Sequence, residues 1–205
     1  MKRLKNFLLG LWVAAVTAAC AVLPPSSDVP LPSVSGGGAL YVIDPAHTFP
    51  HFEVTHMNLS THHGRFNRTS GWIVLDRAAR RGAIELVIDA ASVDTGDPAL
   101  EQRLRGEDFF DSGNFPQIKF RADKFRFDDD KPIGIDGELT LRGVTRPVTL
   151  AVSAFRCGQL PLIRREACGA QAETTIKRAD FGMSIYPSMI GADVRLVIQV
   201  EGHKR

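Results

Sequence analysis

The chain has 205 residues, 44% of them hydrophobic and 23% charged, with a formal net charge of +2. That balance is ordinary for a folded chain and excludes both an intrinsically disordered protein and a multi-span membrane protein. A charge so near zero, with no basic run carrying interleaved aromatics, excludes a nucleic-acid partner as a working reading. Twelve Phe stand against two Tyr and two Trp, an aromatic set that brings apolar area with few polar handles and suits a core or a greasy pocket.

Lys2, Arg3 and Lys5 form a basic start ahead of the uncharged apolar stretch Phe7 to Ala19. That stretch is short of the roughly 20 residues a spanning helix needs and has the length of a signal-peptide core, so residues 1–20 are expected to be a signal peptide. Thr17-Ala18-Ala19-Cys20 is similar to a bacterial lipobox, with Thr17 where Leu is usual. In that reading Cys20 is lipidated and the exported, periplasmic protein is tethered to a membrane. Ala21 as the next residue then favours the outer membrane. Cleavage after Ala21 without lipidation is the alternative. Residues 21–38, rich in Pro, Ser and Gly, read as a linker.

The remainder, residues 39–205, reads as one all-β domain. Leu40–Ile43, Thr48–His56 and Gly71–Asp76 are strand candidates, and Ile84, Leu86 and Ile88 alternate with Glu85, Val87 and Asp89. Asp97, ahead of Pro98, caps the one stretch with a helical look, which runs to Arg105. Ile118–Phe127 follows, then Ile133, Ile135, Leu139 and Leu141 on one face, Val148, Leu150 and Val152 on another, Ala172–Lys177, and Val194, Leu196, Ile198 and Val200. Asp44-Pro45, Arg81-Gly82, Asp128 to Pro132 and Arg142-Gly143 punctuate them. About eight antiparallel strands need a remedy for their edges, of which barrel closure is the commonest. Periodicity alone leaves a barrel and a sandwich equally open, and does not say whether the interior is filled or hollow.

Cys157 and Cys168 remain once Cys20 is assigned to the leader. Export makes them a disulfide candidate, worth about 3 kcal/mol in the chain-entropy model. Two free thiols are the alternative, and no CxxC spacing supports a metal pair. Five histidines, His47, His51, His56, His62 and His63, crowd one segment. Metal binding is the sharp reading of this cluster, with His47 and His51 on one strand face and His62-His63 approaching from the following turn. Adjacent residues on a strand point apart, however, and no Cys or carboxylate spacing completes a zinc set, so no metal ligand is assigned. Asp94 and Thr95, with Arg178 and Asp180, read as an Asp–Arg arrangement closing turns. No Gly-x-Ser-x-Gly, His-Glu-x-x-His, phosphate loop or dinucleotide fingerprint is present, so no catalytic residue and no cofactor is assigned.

Several blocks together resemble a known family. They are Tyr41-Val42-Ile43-Asp44, His47-Thr48, Phe52-x-Val54-x-His56, Gly64-x-Phe66, Gly71-x-Ile73 and Ala91-Ser92-Val93-Asp94-Thr95. Leu104-Arg105, Asp108-Phe109-Phe110-Asp111 and Phe115-Pro116-x-Ile118-x-Phe120 come next. The most specific block runs from Gly137-x-Leu139 to Val148-Thr149-Leu150, and Lys177-Arg178-x-Asp180-Phe181-Gly182-Met183 and the strand Val194–Val200 complete the set. In this order they are similar to the YceI-like bacterial polyisoprenoid-binding proteins, from about Tyr41 to Lys204. Arg103-Leu104-Arg105-Gly106 departs from the family's usual His-Leu-Arg-Ser, and the Cys157–Cys168 segment is a long excursion at the barrel rim.

The resemblance implies a lipocalin-like, extended eight-stranded antiparallel barrel with one short helical insertion. It also implies an apolar tunnel holding a polyisoprenoid lipid, such as the tail of an isoprenoid quinone, with the protein as periplasmic carrier or buffer rather than enzyme. The tunnel residues expected on this basis are Phe52, Val54, His56, Ile73, Leu104, Phe109, Phe110, Phe115, Ile118, Phe120, Leu139 and Phe181, with His56 as the first polar contact inside. Membrane contact is expected through the lipidated Cys20, and the oligomeric state is open, a homodimer included. A periplasmic metal-binding protein using the cluster from His47 to His63 is the rival reading.

Overall fold

The computed structural model describes residues 29–34, 37–161 and 164–205. The expected signal peptide, Cys20 and the first part of the linker lie outside them. The described strands are β1 (Ala39–Ile43), β2 (Phe49–His56), β3 (Ser60–Phe66), β4 (Thr69–Asp76), β5 (Arg81–Asp89) and β6 (Val93–Asp94). After helix α1 (Pro98–Arg105) come β7 (Gln117–Asp128), β8 (Lys131–Leu141), β9 (Val144–Leu160), β10 (Arg165–Lys177) and β11 (Ile190–Lys204). No helix among the described residues is long and apolar enough to cross a membrane.

These strands form eight staves. β1 and β2 lie end to end along β11, where Tyr41 faces Lys204 and Phe52 faces Leu196. β4 and β3 lie in the same way along β1 and β2, and β5 and β6 along β4 and β3. Five further staves, β7 to β11, continue an up-and-down meander, and the β1–β11 pairing closes it. The result is a closed eight-stranded antiparallel barrel with one short helix, which resolves the barrel-or-sandwich alternative. Closure leaves the main wall without edges.

The alternation read in the sequence sets the inner face. Ile84, Leu86 and Ile88 from β5, Ile118 and Phe120 from β7, Leu139 and Leu141 from β8 and Leu150 from β9 are all buried. Ile133 departs from its expected face and is 48% exposed. The β7–β8 register shifts between Arg126 and Phe127, so that Phe127 faces Pro132 and Ile133 drops out of the ladder. β3 carries too few apolar residues to show a period, and it is the pairing with β2 that makes it a strand. The Cys157–Cys168 segment is no irregular excursion. β9 and β10 run on through it as a two-stranded ribbon in which the two cysteines face each other and form a disulfide.

Turn and cap chemistry place α1. Arg142 and Gly143, the two-residue turn between β8 and β9, both have positive φ, at 52° and 71°, the backbone that matches a tight hairpin to strand twist. Arg142 Nη1 donates to the carbonyls of Glu107 and Phe109, tying the segment after α1 to this turn. Asp97 caps α1 by accepting from Ala99 N at 2.9 Å and Leu100 N at 3.4 Å. Arg105 donates to Ala91 O at 2.9 Å, Val93 O at 3.1 Å and Glu101 Oε2 at 3.2 Å. The helix is thereby fixed across one end of the barrel, with Leu104 turned into the core.

Candidate ligand-binding site

The half of the barrel below α1 is hollow. A cavity of about 140 Å³ lies there, walled by Phe52 and Val54 (β2), Leu86 and Ile88 (β5), Ile118 and Phe120 (β7), and Leu139 and Leu141 (β8). Val148 and Leu150 (β9), Ile176 (β10), and Val194, Leu196 and Ile198 (β11) continue the wall, with Leu104, Phe109 and Phe110 above, and Pro50, His51, Phe66, Arg178, Met183 and Ile190 also border it. Apart from His51 and Arg178, every described residue on it is apolar. A second cavity of about 230 Å³ continues toward the open end, sharing Phe52, Val54, Leu104, Phe109 and Ile190 with the first. His56, His62, Arg103, Tyr186 and Met189 stand around it. Together the two spaces fall in the range of about 300–1,000 Å³ usual for small-molecule sites.

Of the expected tunnel residues, Phe52, Val54, Leu104, Phe109, Phe110, Ile118, Phe120 and Leu139 meet in the inner cavity, and His56 stands at the outer one. Three lie outside both spaces. Ile73 packs against the lower core, where Tyr41 and Ile84 face it across the sheet. Phe115 lies so close to the β8–β9 turn that a Cβ on Gly143 would fall 2.8 Å from its ring, because the chain turns outward after α1. Phe181 is 1% exposed inside the single 3₁₀ turn after β10. Sequence reasoning left Phe66 out of the set. Its ring lies 5.9 Å from Phe52 and 5.2 Å from Phe110, and Phe52 and Phe110 are themselves 5.9 Å apart, a triad on one wall in which Phe110 meets both partners edge to face. Its parity with Gly64 becomes visible only once β3 is known to be a strand. The β11 residues carried the correct alternation in sequence but had no signal separating cavity wall from packed core.

Arg178 is 5% exposed and has no carboxylate partner among the described residues. Its Nε donates to Gly191 O at 2.9 Å, Nη1 to Met183 O at 2.5 Å and Nη2 to Ile190 O at 3.1 Å. Burial pulls its pKa below the usual guanidinium value. Asp94, expected near it, instead accepts from Asn67 at 2.9 Å, Gly96 N at 3.0 Å and Arg65 at 3.2 Å on the outer surface. The Asn67 bond is the largest of the contacts that lower its pKa. Asp180 is exposed. Arg178 thus closes its turn through main-chain carbonyls, not through an Asp.

The histidines separate. His47 bonds Asp44 at 2.6 Å before β2 begins. Strand parity sends His56 and His62 to the inner face, rings 4.6 Å apart, and turns His51 and His63 to an outer groove beside Glu53 and Arg65, while His51 still borders the inner cavity and His63 the second one. Burial, then Arg65, lowers the His51 pKa. The only group of three metal-type ligands within reach of one another among the described residues is Cys157, Glu166 and Cys168, whose sulfurs are already joined. The metal-binding reading therefore finds no ligand set in the histidine segment.

The described strands thus form a closed antiparallel barrel whose interior is nearly all apolar and opens at one end. The profile of the YceI-like domain matches residues 41–202, and the chain belongs to the YceI-like family. It is 33% identical over 157 residues to Protein YceI of Escherichia coli O157:H7, covering 76% of this chain and 81% of that one. A UPF0312 protein of Vibrio vulnificus (strain YJ016) is 33% identical over 176 residues, 83% of this chain and 90% of that one. Among solved structures, Burkholderia cenocepacia BcnA superposes with a TM-score of 0.66 at 21% identity, covering 78% of this chain and 98% of that one. A polyisoprenoid binding domain from Saccharophagus degradans gives 0.59 at 20% identity, covering 80% and 98%. The Campylobacter jejuni YCEI protein gives 0.62 at 25%, covering 74% and 90%.

Proposed function

We propose that the barrel binds a long-chain isoprenoid lipid, such as an isoprenoid quinone, with its tail in the cavity beneath α1, and serves as an exported carrier or buffer of that lipid. It acts by binding and not by catalysis. The observation that carries the reading is the wall itself, apolar at every position except His51 and Arg178. At about 0.8 kcal/mol per buried CH₂, each five-carbon unit contributes at most about 3–4 kcal/mol, so a few units outweigh the several kcal/mol that association costs. The likeness to a polyisoprenoid binding domain supports the choice of lipid class. The leader read in residues 1–20 supports a periplasmic location, with Cys20 as the point of membrane attachment.

The test is mass spectrometry of an organic extract of the chain from residue 36 onward, purified from a periplasm without detergent. The barrel closes within residues 39–205, so this form carries the whole core. A prenyl lipid in stoichiometric amount is the expected result. An extract free of lipid, from a barrel that also takes up none when offered prenyl lipid, removes the reading.

A further inference from the structure

Apolar side chains left in water cluster at one place on this molecule. Among the described residues, four of the eight large exposed hydrophobics stand around the open end: Met57 at 47%, Leu59 at 83%, Tyr186 at 40% and Met189 at 42%. They come from two segments, the β2–β3 hairpin tip and the loop before β11, and Met57 N donates to Met189 O at 2.6 Å to join the two. Single exposed hydrophobics need no explanation, but a contiguous patch marks an interaction surface. Main-chain conformation adds an independent sign. Eight described non-glycine residues have positive φ, and only Met57 (51°) and Tyr186 (52°) carry a large apolar or aromatic side chain. A bulky residue in that region is held there at a cost, and such strain gathers at functional segments.

The patch is continuous with the cavity, since Tyr186 and Met189 also line the outer of the two apolar spaces. Arg103 lies over the Tyr186 ring at 5.6 Å, and the remaining polar lining is His56, His62, His63 and two Thr, with no carboxylate. An amphipathic aromatic beside a cation, ringed by exposed aliphatic side chains, is the composition that sits at a lipid–water boundary, and the absence of acidic lining suits phosphate headgroups.

We propose that this open end is a membrane-docking face, seating the 57–59 hairpin tip and the 186–189 loop in a bilayer surface so that an apolar cargo passes between lipid and cavity without crossing water. The cargo's nature rests on the carrier reading above; the docking face does not depend on which lipid is carried. A protein partner would have no need of a patch continuous with an apolar channel.

The experiment is flotation of the chain from residue 36 onward, which lacks Cys20, with vesicles of phosphatidylethanolamine and phosphatidylglycerol. The double variant Met57→Asp/Leu59→Asp is compared with Ile133→Asp, an exposed hydrophobic at the opposite end of the barrel. Neither Met57 nor Leu59 lines either cavity, and thermal melts confirm that each variant is folded. Wild type and Ile133→Asp are expected to float. The double variant is expected to lose vesicle binding roughly tenfold or more, the effect of denying even one such side chain its burial. Equal flotation of the double variant and wild type overturns the proposal, as does wild type that stays with the soluble fraction. Wild type that floats yet yields no extractable prenyl lipid keeps the docking face and removes only the cargo. Wild type that holds prenyl lipid yet ignores vesicles does the reverse.

Discussion

Gly64 stands directly opposite Phe52 across the β2–β3 pair, and a Cβ on Gly64 would lie 2.2 Å from the Phe52 ring tip. The ring lies across the glycine and is held from its other sides by Phe66 and Phe110. Gly64→Ala therefore has to push the ring into the cavity or push β3 outward. Overpacking of this kind costs about 1–3 kcal/mol, to be read as a lowered urea midpoint. Prenyl-lipid uptake by the same variant is expected to fall, because the displaced ring occupies ligand space.

Arg178 satisfies three carbonyls at once, the Met183 bond buried and the Gly191 and Ile190 bonds half-buried. Arg178→Met keeps the length and the apolar contact while leaving Gly191 O, Met183 O and Ile190 O without this donor. At about 1–3 kcal/mol for a buried acceptor left unpaired, the expected loss is about 2–5 kcal/mol in chemical denaturation. Faster amide exchange in the loop from Met183 to Gly191 should accompany it. Arg178→Lys, a single ammonium in place of a planar fork, should recover only part of the loss.

Reduction of Cys157–Cys168 releases the β9–β10 ribbon, which lies at the opposite end of the molecule from α1. The chain-entropy model gives about 3 kcal/mol for a loop of this size. Thermal melts with and without reductant should show that loss. Lipid occupancy by mass spectrometry should not change, since neither cysteine touches the cavities.

Asp44 and His47 give stability a pH dependence. Burial alone would push the Asp44 carboxyl up, but the His47 bond, the Ala46 N–H and His203 together bring it below its ordinary value. The hydrogen bond and charge of Asp44 raise His47 above its ordinary value. A depressed carboxyl contributes above its unfolded value near 3.8, and loses that contribution as pH falls through the folded value. A raised imidazole contributes below its unfolded value near 6.5, and loses that as pH climbs through the folded value. The pair is therefore at full strength between those two limits. His47→Gln should lower the urea midpoint most near about pH 5 and progressively less above about pH 7.

The alternation of Ile84, Leu86 and Ile88, or of Val194, Leu196 and Ile198, marks strands with one buried face, while barrel closure and the outward turn of Ile133 come from strand pairing. Period two is dictated by the pleat itself, and one buried face preserves it. The Asp97 cap was equally legible, because the chemistry of that helix start is local. β3 was not legible: Ser60 to Arg65 is polar throughout, and its strand state comes from pairing with β2 and not from its own residues. The site divided along the same line. Phe52, Ile118 and Phe120 could be set on the right face by parity, yet parity treats Ile73, in the packed lower core, like Leu139, on the cavity wall. What separates them is how far each lies from α1 along the barrel axis, a distance that no local pattern records. Arg178 was visible only as a motif residue, since its carbonyl partners lie 5–13 residues onward, one in the loop at Met183 and two at the first residues of β11, and no local pattern links them.

Arg205 N donates to Leu40 O at 2.9 Å, so the chain enters and leaves the barrel side by side at the foot of β11. The open end lies at the head of the same strand, beside Ile190 and about 45 Å away at the usual strand rise. An affinity tag, a fluorophore or a solid support joined just ahead of Ala39 or after Arg205 grips the barrel by its foot and leaves the entrance clear. Immobilised that way, the barrel can be presented mouth outward to a vesicle or a lipid monolayer, and rates of loading and unloading can be followed on one oriented population.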